Sequence, residues 1–425
     1  MAEFTAAVYQ NEYLPDGGTD VNAIVTVTCT GAGVAGKTGS GSAGEIIIVD
    51  TSGSMGTETM AAARKAAKAA VNEILDGTMF AIIAGSDRAA LAYPRVTSGP
   101  GLVAMDSGTR AEALRSIDQF VASGGTAMST WLDLAVTLFG SVPQVRQKHA
   151  ILLTDGENRE DAGKLDAAIR RATGVFQCDC RGAGTDWVVE EVRRIATALL
   201  GTVDIIPSAE QMQTQFQQIM QKAMSRGVAD AQLRVWTPQG AQVLFVRQVA
   251  PTVEDLTSRR TEVNPLTGGY PTGAWSDESR DYHVAVRVAA KAIGQEQLAA
   301  RVQLALGDDV VCQGLVKATW SNDSGQTTRI DPQVAHYTGQ TELASMIQEG
   351  LAAKAQGDEA TATTKLGRAV QLAAETGNEE ATSKLRKVVD VENEAEGTVR
   401  LKRAVDKVDE MALDTASTKT TRIKK

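Results

Sequence analysis

Glu45-Ile46-Ile47-Ile48-Val49-Asp50-Thr51-Ser52-Gly53-Ser54-Met55 decides how this chain of 425 residues is read. Ile46 to Val49 are β-branched without alternation, the pattern of a parallel strand covered on both faces. Asp50 falls at the carboxyl end of that strand, where open α/β sheets place their ligands. Ser52 and Ser54 follow at alternate positions, and Gly53 lets the backbone turn between them. From Glu58 the sequence becomes helical, through the alanine-rich run Met60 to Leu75. One carboxylate and two hydroxyls therefore sit on a strand-to-helix turn.

Two later stretches repeat that chemistry in the same kind of place. His149-Ala150-Ile151-Leu152-Leu153-Thr154-Asp155-Gly156-Glu157 is a second apolar run ending in an Asp. Ser123-Gly124-Gly125-Thr126 is a glycine turn that puts a hydroxyl just before a helix over Trp131 to Phe139. Three loops at the carboxyl edge of one sheet would bring Asp50, Ser52, Ser54, Thr126 and Asp155 together. Oxygen-only donors, few carboxylates and several neutral hydroxyls suit Mg²⁺, which keeps waters and wants octahedral geometry. Such an ion is only partly neutralised, so a position stays open for a carboxylate of another molecule.

Asp50-x-Ser52-x-Ser54, Thr126 and Asp155 resemble, in order and context, the metal-ion-dependent adhesion site of von Willebrand factor A domains. The resemblance covers residues 44–226, and Ser208 to Arg226 looks like the helix that closes such a domain. It implies a doubly wound, Rossmann-like α/β fold, with those five residues as the ligands of Mg²⁺ (Mn²⁺ as a substitute). It also implies a protein partner offering an Asp or Glu side chain.

The remaining chain sets the context. Strands are expected at Thr78 to Ala84, Leu91 to Val96, Val175 to Cys180 and Thr202 to Ile206. Helices are expected at Thr109 to Ala122, Leu165 to Ala172 and Asp186 to Leu200. Between 227 and 335 the period becomes alternating, with strands at Gln232 to Thr237, Gln242 to Val249, Tyr282 to Ala289, Gln297 to Leu306 and Val310 to Trp320, which predicts an antiparallel β-sandwich. Val21 to Thr30 alternates too and lacks a partner in the central region. It should pair with that sandwich, making the α/β domain an insertion. From 336 to 412 helical periodicity returns, broken at Gln356-Gly357-Asp358 and Thr376-Gly377-Asn378. Residues 413–425, polar and basic, read as a disordered tail. The domain division is thus 1–43 (sandwich strand and Gly-rich linker), 44–226, 227–335, 336–412 and 413–425.

Gly31-Ala32-Gly33-Val34-Ala35-Gly36-Lys37-Thr38 matches the phosphate-binding loop pattern. That motif works only when a helix follows at once. Here Gly39-Ser40-Gly41-Ser42-Ala43-Gly44 follows, so Gly31 to Gly44 reads as a disordered linker. Cys178-Asp179-Cys180 places two thiols on one face of a strand, but no second pair or His cluster supports zinc. Core thiols are the expectation, and His149, His283 and His336 are expected to be surface or hydrogen-bonded histidines.

Hydrophobic residues make up 43% and aromatics 4%, with a net charge of −9, which argues against a general nucleic-acid binder. No apolar run approaches the roughly 18 residues of a membrane helix. Met1 to Thr5 has no signal-peptide character, and four scattered cysteines make no disulfide framework, so a cytoplasmic setting is expected. The first functional expectation is a non-enzymatic, Mg²⁺-dependent interaction scaffold resembling bacterial cytoplasmic von Willebrand A proteins, with an AAA+ ATPase or a signalling kinase system as the class of partner. The alternatives are an accessory subunit of a chelatase-type AAA+ complex and, lower, a nucleotide hydrolase using Lys37 and Thr38.

Overall fold

The computed structural model describes residues 2–36, 42–95 and 101–423. Its packing divides the chain into two compact units. One holds Gly31–Asp230 with Gly273–Asp277; the other holds Glu3–Thr30, Ala231–Thr272 and Glu278–Lys425. From Glu3 the chain runs in the second unit, crosses into the first at Gly31 and returns at Ala231.

Three strands come first: β1 (Glu3–Gln10), β2 (Tyr13–Leu14) and β3 (Asp20–Thr30). β1 and β3 pair antiparallel from Glu3↔Thr30 to Gln10↔Ala23. The expected strand at Val21 to Thr30 is present; β1 was not foreseen. The expected linker is shorter than its sequence suggests. Ala32 and Ala35 are buried, the Ala35 amide donates to Met224 O at 2.8 Å, and the next strand already begins at Ser42. Lys37 and Thr38 lie outside the described residues, with only three residues between Thr38 and that strand.

The first unit alternates strand and helix. It runs β4 (Ser42–Asp50), α1 (Gly56–Glu73), β5 (Met79–Gly85), β6 (Ala89–Tyr93), β7 (Val103–Ala104), α2 (Ser107–Ile117), α3 (Met128–Gly140), β8 (Val145–Thr154), α4 (Ala162–Ala172), β9 (Gln177–Ala183), α5 (Val189–Ala198), β10 (Val203–Ile206) and α6 (Ala209–Met224). The strand order is β10-β9-β8-β4-β5-β6, with β7 paired to β5. The first five of these strands are parallel, and β6 turns back antiparallel. β4 lies in the middle, so both of its faces must be covered by helices. Ile46, Ile47, Ile48 and Val49 are all fully buried, the unbroken apolar run that such a strand needs. Ile47 and Val49 share a cluster with Ala63, Ala66, Ala67 and Ala70 of α1 and Phe216 and Met220 of α6. The alanines let these helices lie close to the sheet.

Two sequence expectations fail here. The helix expected over Thr109 to Ala122 stops at Ile117, and Val121 beyond it is 67% exposed. The strand expected at Leu91 to Val96 ends at Tyr93, and Val96 lies outside the described residues.

The second unit contains two facing sheets. Its remaining strands are β11 (Val228–Trp236), β12 (Gln242–Ala250), β13 (Glu254–Asp255), β14 (Thr261–Asn264), β15 (Thr267–Trp275), β16 (Glu278–Arg287), β17 (Glu296–Leu306) and β18 (Asp309–Trp320). One sheet has the order β1-β3-β16-β12-β13, the other β14-β15-β11-β17-β18-β2. β3 lies between β1 and β16, with Tyr282↔Val25 in register, so the α/β domain is an insertion in the sandwich. β15 escaped the sequence reading because Thr267-Gly268-Gly269-Tyr270-Pro271 looks like a turn. The Gln232 side chain packs over Gly269, where a Cβ would lie 2.4 Å from its amide nitrogen.

The helices follow: α7 (Ser324–Thr327), α8 (Pro332–Ala355), α9 (Glu359–Glu375), α10 (Glu379–Val388) and α11 (Lys407–Ala416), with a hairpin of β19 (Val389–Asn393) and β20 (Thr398–Leu401) before α11. The predicted breaks are real. Gly357 and Gly377 adopt positive φ, and the Asp358 and Asn378 side chains cap α9 and α10 through the amides of Thr361 and Ala381. Leu343, Ile347, Leu366, Val370, Leu385 and Val388 form one core. The tail read as disordered is ordered as far as it is described. Leu413 and Ser417 are buried, Thr418 O accepts from Val253 N at 2.7 Å, and Thr420 N donates to Pro251 O at 3.0 Å. The tail is held by its backbone and by the Thr420 hydroxyl, which donates to Val249 O at 2.7 Å.

Candidate metal centre

β4, β5 and β8 run parallel, so their following loops emerge at one edge. Backbone hydrogen bonds then stitch those loops together. Thr51 N donates to Gly85 O at 2.6 Å, Gly53 N to Gly124 O at 2.9 Å, Ser123 N to Thr51 O at 2.8 Å and Arg159 N to Thr126 O at 2.9 Å.

Asp50, Ser52, Ser54 and Asp155 are brought together as one connected cluster of oxygens. Asp50 ends β4 and is fully buried. Its Oδ1 accepts from Ser52 N at 2.7 Å, and its Oδ2 from the Thr154 hydroxyl at 2.6 Å. Ser52 and Ser54 hydroxyl oxygens are 2.8 Å apart, and the Ser54 hydroxyl donates to Asp155 Oδ1 at 2.8 Å. Thr126 joins them across Gly156, where a Cβ would lie 2.8 Å from Ser54 Oγ and 3.1 Å from Thr126 Oγ1. Gly156 thus keeps a side chain out of the space that the hydroxyls face. Thr154, outside the predicted set, orients the Asp50 carboxylate. Its β-branched type at the end of an apolar strand was the only sequence signal.

Burial dominates the electrostatics of the two carboxylates. Burial pushes Asp50 up from the ordinary carboxylate range, against the pull of Ser52 and Thr154. Asp155 is pushed up to about 6, mainly by burial, with Asp50 and Asp186 adding negative charge and Ser54 opposing. Burial disfavours the charged form of both carboxylates, and at Asp155 the neighbouring Asp50 adds to it. The donors are hard oxygens only, and among the described residues no three His, Cys, Asp or Glu side chains group as metal ligands. Two carboxylates, three hydroxyls and an open glycine cradle fit a small hard cation held partly through water.

Cys178 and Cys180 are fully buried with sulfurs 3.8 Å apart, and the Cys180 contact and burial push Cys178 well up. They are core thiols. His149 is more than a hydrogen-bonded histidine. Its Nδ1 faces Glu45 Oε1 at 2.8 Å and its Nε2 faces Asp179 Oδ2 at 2.9 Å. Arg226, just beyond α6, reaches the same Asp179 oxygen at 3.2 Å. All four residues are at most 8% exposed. His283 Nε2 lies 3.1 Å from Asn22 Oδ1, and His336 Nε2 2.7 Å from Thr421 O.

Comparison with known proteins agrees with this architecture. Residues 45–205 match the family model described as von Willebrand factor type A domain, and residues 371–417 the one described as von Willebrand factor type A C-terminal domain. A von Willebrand factor type A protein from Catenulispora acidiphila is 45% identical, with 99% of this chain and 97% of that chain covered at a TM-score of 0.92. The ArnB paralog VWA2 from Sulfolobus acidocaldarius, 14% identical, aligns over 98% of both chains at 0.59 and shows the fold alone. An uncharacterised protein of Synechocystis is 25% identical over 220 residues, 50% of this chain and 49% of that protein. The alignment thus spans about half that relative's length.

Proposed function

We propose, from the premise that this chain belongs to the von Willebrand factor type A family, that it is a non-enzymatic interaction module which captures an acidic side chain of a protein partner through Mg²⁺. The observation that carries this reading is the joined set of Asp50, Ser52, Ser54 and Asp155 oxygens, with Thr126 across the Gly156 cradle. Those five residues would hold the ion. When bound, Mg²⁺ supplies an electrophilic centre that a partner's carboxylate can complete.

The chain's own part is to hold its donors in place. Ser52 N and Thr154 lock Asp50, Ser54 orients Asp155, and the interloop hydrogen bonds fix the spacing before any ligand arrives. Preorganised donors of this kind lower the ordering cost of binding. Few carboxylates and several hydroxyls favour Mg²⁺ or Mn²⁺ over Ca²⁺, whose larger shell takes more oxygen ligands. Among the described residues no helix is long and apolar enough to cross a membrane, in keeping with a cytoplasmic scaffold working beside an AAA+ ATPase or a signalling kinase system.

Thermal unfolding and calorimetry with Mg²⁺ test the site. The wild type should be stabilised by millimolar Mg²⁺, because a ligand that binds only the folded state raises its melting temperature. Asp155→Ala and Ser52→Ala should fold without showing that shift. Absence of both shift and heat in the wild type refutes the metal assignment. A pull-down with Mg²⁺, with EDTA and with Asp50→Ala as bait tests the function, and an identical partner set in all three rejects metal bridging.

A further inference from the structure

Resting on the metal assignment above, we propose that Glu160, with Asn158, is a positioning residue: it sets the Thr126 hydroxyl in the ligand set by capping α3 from the loop that carries Asp155. Four of the five ligand residues are held through their side chains. Thr154 holds Asp50, and Ser54 meets both Ser52 and Asp155. The Thr126 hydroxyl makes no hydrogen bond to another described residue. Its place is set by the backbone that carries it.

That backbone runs straight into α3, whose N-cap is Ala127, a residue with no side-chain acceptor to offer the first turn. The first amides of a helix have no partners within it and must find acceptors elsewhere. Here they find them on the Asp155 loop. Met128 N donates to Asn158 Oδ1 at 3.2 Å and Ser129 N to Glu160 Oε1 at 3.2 Å, while the Ser129 hydroxyl donates to the other Glu160 oxygen. Between those two residues, Arg159 N donates to Thr126 O at 2.9 Å. Ala127 N is taken by Ser86 O, also at 2.9 Å. The stretch Thr126 to Ser129 is thus tied at every residue, three of the four times to 158–160.

The capping loop is itself braced, since Asn158 N donates to Glu191 Oε2 at 3.2 Å in the first turn of α5. Asn158, Met128 and Ser129 are buried, so breaking the cap strands amides away from water and is opposed. The Glu160 carboxylate also meets the positive end of the α3 dipole. Without Glu160 the first turn of α3 is released, and with it the Thr126 oxygen. Asp50, Ser52, Ser54 and Asp155 keep their own partners. Groups that orient metal ligands from behind govern affinity by about 10–100-fold.

The test measures Mg²⁺ binding to the full chain by calorimetry, with thermal unfolding in EDTA as the record of folding. Glu160→Ala should bind Mg²⁺ more weakly by about tenfold. Glu160→Gln keeps an acceptor for Ser129 N and should bind as the wild type does. Asn158→Ala, which removes only the Met128 bond, should show a smaller loss in the same direction. The deciding measurement places Glu160→Ala in a Thr126→Ala chain. With the hydroxyl gone, the second substitution should cost no further affinity, because its effect passes through that oxygen. In EDTA, amide exchange at Ser129 should be faster in Glu160→Ala than in the wild type. Unchanged exchange, wild-type affinity in Glu160→Ala, or equal losses in both backgrounds overturns the positioning role and leaves the metal site standing. A Gln variant as weak as the Ala variant overturns it too, since the charge of Glu160 then acts on the ion directly. A wild type that binds no Mg²⁺ refutes the metal assignment, and the positioning role falls with it.

Discussion

Removing the proton from His149 should destabilise the α/β unit, and the structure sets both the pH window and the size of the effect. Each ring nitrogen lies within 3 Å of a carboxylate oxygen, Nδ1 at 2.8 Å from Glu45 and Nε2 at 2.9 Å from Asp179. Both nitrogens face acceptors, so the imidazole is held as a cation with a proton on each. Burial alone would lower its pKa, but Glu45 and Asp179 outweigh it and raise the value from 6.5 to about 9. The value is raised on folding, so the stabilisation is complete below 6.5 and is lost as the pH climbs through about 9. At about 1.4 kcal/mol per pH unit, that span amounts to about 3 kcal/mol. Neutralising His149 leaves Glu45 and Asp179 sharing Arg226, and His149→Gln should cost about 3–5 kcal/mol at pH 6.5, the usual penalty for breaking a buried pair. Urea denaturation from pH 6 to 10, beside a ¹³C-histidine NMR titration, measures both quantities. The wild type should lose its advantage over His149→Gln across that range, with the His149 resonance titrating near 9. Glu45→Gln, which removes one acceptor's charge, should move the midpoint down. A His149 midpoint at or below 6.5, or parallel stability curves for wild type and His149→Gln, refutes the reasoning.

His283 should behave in the opposite sense. Burial and the nearby Arg247 lower it to about 4, so its contribution is present above 6.5 and lost as the pH falls through 4, about 3 kcal/mol in all; acid denaturation of the wild type and His283→Gln checks it. Gly85→Ala would put a Cβ 2.4 Å from the Trp131 ring. The overpacking should cost about 1–3 kcal/mol in urea and weaken the Mg²⁺ shift, because Gly85 O holds Thr51. Truncation after Ser417 removes the hydrogen bonds of Thr418 and Thr420 to residues 249–253 and should lower stability by at least about 2 kcal/mol, read by thermal unfolding. Unchanged melting of the truncated chain would show that the tail merely rests on its neighbours.

The core of the fold and the candidate site were legible where local pattern and tertiary role coincide. Ile46 to Val49 had to be a central parallel strand, because only a strand covered on both faces tolerates four consecutive β-branched residues. Asp50, Ser52 and Ser54 were legible because a parallel strand's carboxyl end carries the loops that bind, and because Thr126 and Asp155 repeat their chemistry in the order of the adhesion-site pattern. Helix breaks at Gly357 and Gly377 were legible because positive φ has a residue signature. Val21 to Thr30 could be assigned to the sandwich because an alternating strand needs a half-buried sheet, and the central sheet offered none.

Other features arose only from contacts between distant residues. β15 hides behind glycines, one of which lies under the Gln232 side chain, and no local pattern announces a neighbour 37 residues away. Thr154 looks like the end of a strand until its hydroxyl is seen to hold Asp50. The tail from Leu413 is polar by composition, yet its amides and carbonyls complete the backbone of residues 251–253. Glu45, His149, Asp179 and Arg226 are four unrelated charges along the chain. The sheet register alone makes them one buried network, because β4, β8 and β9 lie side by side. Composition and period determine which faces must be buried, for those depend on neighbours one to four residues apart. Charge partners, cradles and held termini depend on which strand lies beside which, and that is decided only when the whole chain packs.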